Sequence, residues 1–335
     1  MPGIGIISNA NARINKKYPS INRLINTILG RRGELIQTFS LDELDVASKD
    51  FLKYKLDFII ILGGDGTIHK TLDALVNVTD DPSEIPPILP LPAGTMNIIP
   101  TSLGLRGHPL YNLVSSLIMY RHNIPLRAIR RNLLRVNDNY GFLFGIGGPV
   151  TILNLNYSLG KSRTKSSMLL VRYFSSAFVG GELIQTLFEP LHFRCSINGE
   201  PTRELDMHTI FCSFAENLPF RWTLFPRAGW YKDRFEALFF DYNIPQGLWG
   251  LFNMWRGTLN EYKGFHRHLP SSLVMDFDKK VPYQLDGDLY PPTSSFKLTP
   301  GPELQLIVPP SLAVYNRHVR DRMEKLGPWQ KLLFT

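Results

Sequence analysis

The sequence predicts an α/β domain followed by a β-rich one, and three observations carry that prediction. Up to about Asn123 short apolar runs alternate with helix-period segments, the pattern of parallel strands covered by helices on both faces. From about Arg130 the chain changes to short alternating runs closed by turn dipeptides, the pattern of a mostly antiparallel, sandwich-like domain. The 335 residues amount to about two ordinary domains, and a composition 44% hydrophobic and 20% charged excludes a disordered or fibrous chain. With 25 prolines and 26 glycines the chain is cut into many short elements, which excludes a coiled coil. The expected division is residues 1–128, residues 129–312 and a C-terminal segment 313–335 of helical character.

Gly3 to Ser8 is the first expected strand. Ser20 follows Pro19 as a candidate N-cap, and Ile21, Leu24, Ile25, Ile28 and Leu29 form one apolar stripe of a helix ended by Gly30. Glu34 to Phe39 reads as the second strand and Asp42 to Lys53 as the second helix. Leu56 to Leu62 is a third strand whose unbroken Phe58-Ile59-Ile60-Ile61-Leu62 suits burial on both faces. A helix follows from about Thr67, then a proline-bearing strand at Ile88 to Leu91 and a helix at Pro109 to Arg121. In the second half, Leu133 to Val136 and Tyr140 to Phe144 flank Asn137-Asp138-Asn139, and His192 to Ile197 runs into the hairpin signal Asn198-Gly199. Leu273 to Phe277, Tyr283 to Leu285, Phe296 to Leu298 and Leu304 to Val308 continue the alternation.

Charge and cysteine usage narrow the partners. A net charge of +8 biases the surface toward anions: nucleotide phosphates, nucleic acid or acidic lipid headgroups. The basic residues are scattered and no recognition motif accompanies them, so nucleic acid is not an expected partner. Cys195 and Cys212 lie in apolar alternating segments and are too few for a disulfide framework, which suggests reduced core thiols in a cytoplasmic protein. The N-terminus reads as a strand and not as a signal peptide. The apolar stretch Met168 to Phe188 is broken by Arg172, Gly180, Gly181 and Glu182 and falls short of a membrane span.

Chemistry concentrates at two turns. Gly63-Gly64-Asp65-Gly66-Thr67 joins a buried strand to a helix, where glycines let backbone amides approach an anion and the helix N-terminus faces it. The spacing matches neither a dinucleotide fingerprint nor a P-loop. Asp65 would repel phosphates unless a divalent cation lies between, so the loop suggests a Mg²⁺-nucleotide. The plainer reading is a tight turn capped by Asp65 or Thr67. A second strand-to-helix turn, Pro92-Ala93-Gly94-Thr95-Met96-Asn97, can open onto the same crevice of a parallel sheet.

Together these two motifs resemble the diacylglycerol kinase catalytic domain family, which includes bacterial lipid kinases and the sphingosine and ceramide kinases; the first motif alone is shared with NAD kinases. The resemblance extends into the second half, where Asn217, Phe225-Pro226-Arg227-Ala228 and Leu285-Asp286-Gly287-Asp288 look like the family's Asn, Pro-x-Ala and Asp-Gly-Glu motifs. It implies an α/β ATP-binding domain, a β-rich lipid-substrate domain, an active site in the cleft between them, and phosphorylation of a lipid hydroxyl by ATP and Mg²⁺. Carried over, Asn9, Gly63, Gly64, Asp65, Gly66, Thr67, Gly94, Thr95 and Asn97 would hold ATP, with Asp65 meeting the metal through Mg-ATP. Asn9 matches the Asn of the family's Asn-Pro-x-x-Gly motif, but Asn9-Ala10-Asn11-Ala12-Arg13 lacks its proline and glycine.

The acid–base role falls, by the same resemblance, to Asp286 as base with Asp288 in support; on bare sequence the Asp-Gly pair is a hairpin turn. Lys232-Asp233-Arg234 departs from the site where some bacterial members hold a structural Mg²⁺, so no such metal is expected. Gly247 to Arg256, rich in Trp, Phe, Leu and Met and followed by Lys263, His266, Arg267 and His268, reads either as an interfacial helix with cations at its edge or as a core helix. Lys161, Arg163 and Lys165 form a basic loop that faces headgroups or solvent. The expected partners are ATP and a lipid at a membrane surface, with peripheral attachment to that surface and room for a homodimer. The alternatives are an NAD kinase-like enzyme and a catalytically inactive nucleotide- or lipid-binding relative.

Overall fold

The computed structural model describes residues 3–94, 97–105, 107–121, 126–158, 189–216, 224–241, 246, 253 and 264–308. They fall into two compact units, one of the residues up to Arg131 with those from Pro302 on, the other from Asn132 to Gly301.

In the first unit the order is β1 (Ile4–Asn9), α1 (Arg13–Lys17), α2 (Ile21–Leu29), β2 (Gly33–Thr38), α3 (Leu41–Lys53), β3 (Phe58–Gly63), α4 (Asp65–Asn77), β4 (Ile88–Pro92), α5 (Ile98–Ser102) and α6 (Pro109–Arg121). The strands are parallel: β1 pairs with both β2 and β3, and β3 with β4. Every residue of β3 is buried, as its unbroken isoleucine run requires of a central strand. Each fully buried isoleucine contributes roughly 1.5–3 kcal/mol relative to exposure. The end of the α2 stripe differs from expectation: Ile21, Ile25 and Leu29 are buried, but Leu24 and Ile28 are 51% and 42% exposed. Among the described residues β2 is an edge strand, so only half of the stripe finds a partner surface. Ser20 takes the N-cap place of α2 without a side-chain bond, whereas Ser40 caps α3 by accepting from the Glu43 amide and Glu43 Oε2 accepts from the Phe39 amide.

In the second unit the order is β5 (Ala128–Val136), β6 (Asn139–Gly141), β7 (Leu143–Gly147), α7 (Gly148–Ser158), β8 (Leu191–Ile197), β9 (Arg203–Met207), β10 (Thr209–Ser213), β11 (Glu236–Phe240), β12 (Phe265–His268), β13 (Leu273–Leu285) and β14 (Asp288–Ile307), the last running on into the first unit. The strands of this unit pair antiparallel, with β12-β11-β10-β7-β13-β14 in line, β8 on β13 and β9 on β8. Asn198 and Gly199 both adopt positive φ, as the Asn-Gly hairpin signal requires. The core is aromatic: Phe193 stacks on Phe277 with centroids 4.9 Å apart, and Phe144 meets Phe296 edge-on at 5.4 Å. Cys195 and Cys212 are free and buried there, and burial pushes the Cys195 thiol up to about 11. The expected pairing of an α/β domain with a mostly antiparallel β-rich one is therefore borne out. Helix α7 was not anticipated; its apolar run after two glycines carries no helical period.

Back in the first unit, Leu306 of β14 pairs in parallel with Ile88. Beyond Ile88 no described strand lies on that side of β4, so Pro90 and Pro92 have no ladder bond to lose there. The prolines that compromise this segment as a strand are thus accommodated by its register. Replacing Ser40 with alanine removes one cap bond and is expected to lower stability by about 1 kcal/mol, read as a shift in denaturant midpoint.

Candidate nucleotide site and the acidic hairpin

The nucleotide-site candidates assemble at the C-terminal ends of β1, β3 and β4. Glycine at 63 and 64 lets β3 turn directly into α4, whose N-cap is Gly64, so Asp65 and Gly66 form the first helical turn, two residues earlier than the sequence suggests. The second turn lies against the first: a Cβ on Gly94 would stand 2.5 Å from the Gly64 Cα, a backbone collision. A Cβ on Gly63 would meet the Thr67 side chain at 2.4 Å. Only residues without side chains allow this contact.

Polar bonds tie the segments together. Asn97, in the left-handed region at φ 53°, turns its Oδ1 back to accept from the Gly94 amide at 2.8 Å. Asp65 Oδ1 accepts from the Ile99 amide at 3.3 Å, joining α4 to α5. Asn9 Nδ2 donates to Thr67 Oγ1 at 2.8 Å, which attaches the turn after β1 to the same helix. Asn9, Gly63, Gly64, Asp65, Gly66, Thr67, Gly94 and Asn97 are thus brought together; Thr95 lies outside the described residues. The arrangement offers an anion the α4 N-terminus at a backbone surface kept clear of side chains. No group of three or more His, Cys, Asp or Glu side chains suited to a metal occurs among the described residues. Asp65 fits Mg²⁺ when phosphate oxygens and water supply the other ligands.

In the second unit Asp286 and Gly287 are the central residues of the β13–β14 hairpin, at φ 51° and 88°. Asp286 is 3% exposed, and its carboxylate accepts from the amides of Phe142 at 3.0 Å and Leu143 at 2.8 Å. Gly141 is needed here too, because a Cβ on it would lie 2.7 Å from Asp286 Oδ2. The carboxylate therefore fastens the hairpin to the start of β7. Asp288, at the head of β14, is half-buried.

The Phe225-Pro226-Arg227-Ala228 segment is held by a pair the sequence did not disclose. Glu236, fully buried on β11, accepts from the Arg227 amide at 2.8 Å and pairs with Arg267, which also donates to the Leu224 carbonyl at 3.3 Å. Arg267, one of the cations that the interfacial reading of the apolar cluster places at its edge, is 6% exposed in its side chain and committed to Glu236. The legible signal was a lone glutamate inside Phe235-Glu236-Ala237-Leu238, since an unpaired carboxylate is too costly there. Asn217, Thr95, Lys161, Arg163, Lys165, the 247–252 and 254–256 parts of the apolar cluster, Lys263 and the segment 313–335 lie outside the described residues. Among the described residues no helix is long and apolar enough to cross a membrane.

Residues 5–126 match the family model of the diacylglycerol kinase catalytic domain, which bears out the resemblance drawn from the paired turns over the first domain. No curated protein sequence matches the chain. Among solved structures, a diacylglycerol kinase from Bacillus anthracis aligns with a TM-score of 0.62 at 15% identity, covering 92% of this chain and 97% of that one. A second diacylglycerol kinase-like protein of the same organism reaches 0.66 at 14% identity, covering 92% and 98%. At these identities the likeness is one of fold. An NAD kinase from Archaeoglobus fulgidus in complex with ATP gives 0.47 at 12% identity over 91% and 93%, too loose to argue from.

Two substitutions probe the geometry. Gly94→Ala is expected to separate the two turns and abolish nucleotide binding measured by calorimetry, while circular dichroism still reports a folded chain. Asp286→Ala leaves two buried amides without their acceptor and is expected to cost about 1–3 kcal/mol per orphaned group, read from thermal unfolding.

Proposed function

We propose that the chain is an ATP- and Mg²⁺-dependent lipid kinase that transfers the γ-phosphoryl group to a lipid hydroxyl. The observation that carries the reading is the contact of the two glycine turns at the sheet's C-terminal ends, within a domain that matches the diacylglycerol kinase catalytic family. Phosphoryl transfer asks the protein mainly for positioning and for neutralising charge. The α4 N-terminus and the glycine backbones would receive the phosphates, and Asp65 would hold Mg²⁺. Asn97 and Asn9 keep the two turns in place. Bound Mg-ATP supplies the phosphoryl group and the cation that offsets its charge.

The acceptor hydroxyl needs a proton acceptor, and the acidic hairpin supplies it in this reading. The family resemblance implies Asp286 for that role, with Asp288 supporting. Its carboxylate is engaged by two backbone amides, whereas Asp288 stands at the head of β14 and is half-buried. We therefore assign proton acceptance to Asp288 and the holding of the hairpin to Asp286. A lipid acceptor is favoured by the family match, and the +8 charge favours meeting it at an anionic surface.

The test is a reaction with radiolabelled ATP and vesicles carrying a panel of lipid hydroxyl compounds, the product identified by mass. Expected are a phosphorylated lipid, loss of product with EDTA or Asp65→Ala, and a fall in kcat of about 100-fold or more in Asp288→Asn without loss of folded structure. Product from NAD instead of lipid would sink the lipid assignment. Binding of ATP with no turnover of any acceptor would make the chain an inactive relative, and full activity in Asp288→Asn would return the base to Asp286.

A further inference from the structure

The turn after β1 contains no glycine and no proline between Asn9 and Arg13, so its path is not set by backbone type. It is set by side chains. Asn15, buried at 7% exposure, donates from Nδ2 to the Ser8 hydroxyl at 2.9 Å and to the Asn9 carbonyl at 2.6 Å. Ser8, wholly buried on β1, donates in turn to Asn22 Oδ1 on α2 at 3.2 Å. Asn9 closes the local loop by accepting from the Asn11 amide at 2.8 Å, and its own amide reaches Thr67. A continuous series of bonds therefore runs from Asn22 through Ser8, Asn15 and Asn9 to the residue packed against Gly63.

The orientation of the Asn15 amide follows from this pattern. Turned over, its oxygen would face the Asn9 carbonyl at 2.6 Å, acceptor against acceptor, so both hydrogens must point as described. The cost is visible on the other atom: among the described residues the buried Asn15 Oδ1 has no hydrogen-bond partner. A buried acceptor left unsatisfied is unfavourable.

We propose that Asn15 is a positioning residue for the nucleotide site, acting through Asn9 on Thr67 and so on the first glycine turn. By fixing the Asn9 carbonyl it fixes the direction of the Asn9 side chain, and with it the bond that holds the β1 turn to α4. The inference rests on the nucleotide reading above. It predicts that loss of the Asn15 donors weakens ATP and leaves the lipid acceptor alone.

The experiment is a double-mutant cycle with ATP affinity as the readout, measured by calorimetry on the full chain. Asn15→Leu, of the same branching and without donors, is expected to weaken ATP about tenfold, the order of one lost buried hydrogen bond. The KM for the lipid should stay within about twofold, since binding of the acceptor is a separate property. Thr67→Val, which removes the Asn9 acceptor, should weaken ATP similarly, and the double variant should be little worse than either single one, because both act on one series of bonds. Should Asn15→Leu not fold, Asn15→Ser, too short to span Ser8 and the Asn9 carbonyl, takes its place under the same criteria. Unchanged ATP affinity in a folded Asn15 variant, or additive effects in the double variant, overturns the inference while the nucleotide reading stands. Wild-type protein that binds no ATP overturns both.

Discussion

The candidate site of the first unit depends on one close approach, that of the Gly64 and Gly94 backbones. Two strands leave a parallel sheet side by side; β3 passes into α4 through Gly64 alone, and β4 ends at Pro92, ahead of α5 at Ile98. A Cβ on Gly94 would push the turns apart, because it meets the Gly64 Cα at 2.5 Å, backbone on backbone with no flexible end to move, and one on Gly64 would press on the Gly94 Cα at 3.3 Å. Once the turns are in contact, Asn97 can reach Gly94 and Asp65 can reach Ile99. These bonds then hold the helix N-terminus where an anion would meet it. The site is thus a consequence of packing glycine against glycine, with polar side chains securing what the packing permits.

The second unit handles its acidic turn differently. An Asp-Gly pair is a ready-made two-residue hairpin, since both positions require positive φ. Here the aspartate also reaches into the unit and caps two amides at the entry to β7. One residue therefore serves turn geometry and sheet assembly together, and the second acid of the motif is left nearer the surface. Glu236 does comparable work for the 224–228 segment, with Arg267 balancing its charge. In both places a carboxylate ties down backbone amides of a separate segment.

Polar side chains also replace backbone devices in the turn after β1. Where a proline or glycine would restrict or release the chain, three asparagines and a serine share hydrogen bonds. Such an arrangement is directional, so it transmits the position of the turn to Thr67, which a purely apolar contact would do less strictly.

The local and periodic features were legible in the residues alone. The isoleucine run of β3, the amphipathic period of α2, the bounds of α6 and the hairpin at Asn198-Gly199 follow from spacing and turn chemistry, which need no distant partner. The paired glycine motifs were legible as well, because glycine is required only where backbones approach or φ turns positive. What sequence could not supply was partnership across long separations. Gly64 with Gly94, Asp286 with Phe142 and Leu143, Glu236 with Arg267, and the exposure of Leu24 and Ile28 on an edge-strand helix are contacts or absences of contact set by strand order and register. Periodicity states which face of an element is apolar; only the assembled sheet decides what lies opposite that face, and therefore which polar residue is left to do chemistry and which is consumed in holding the fold.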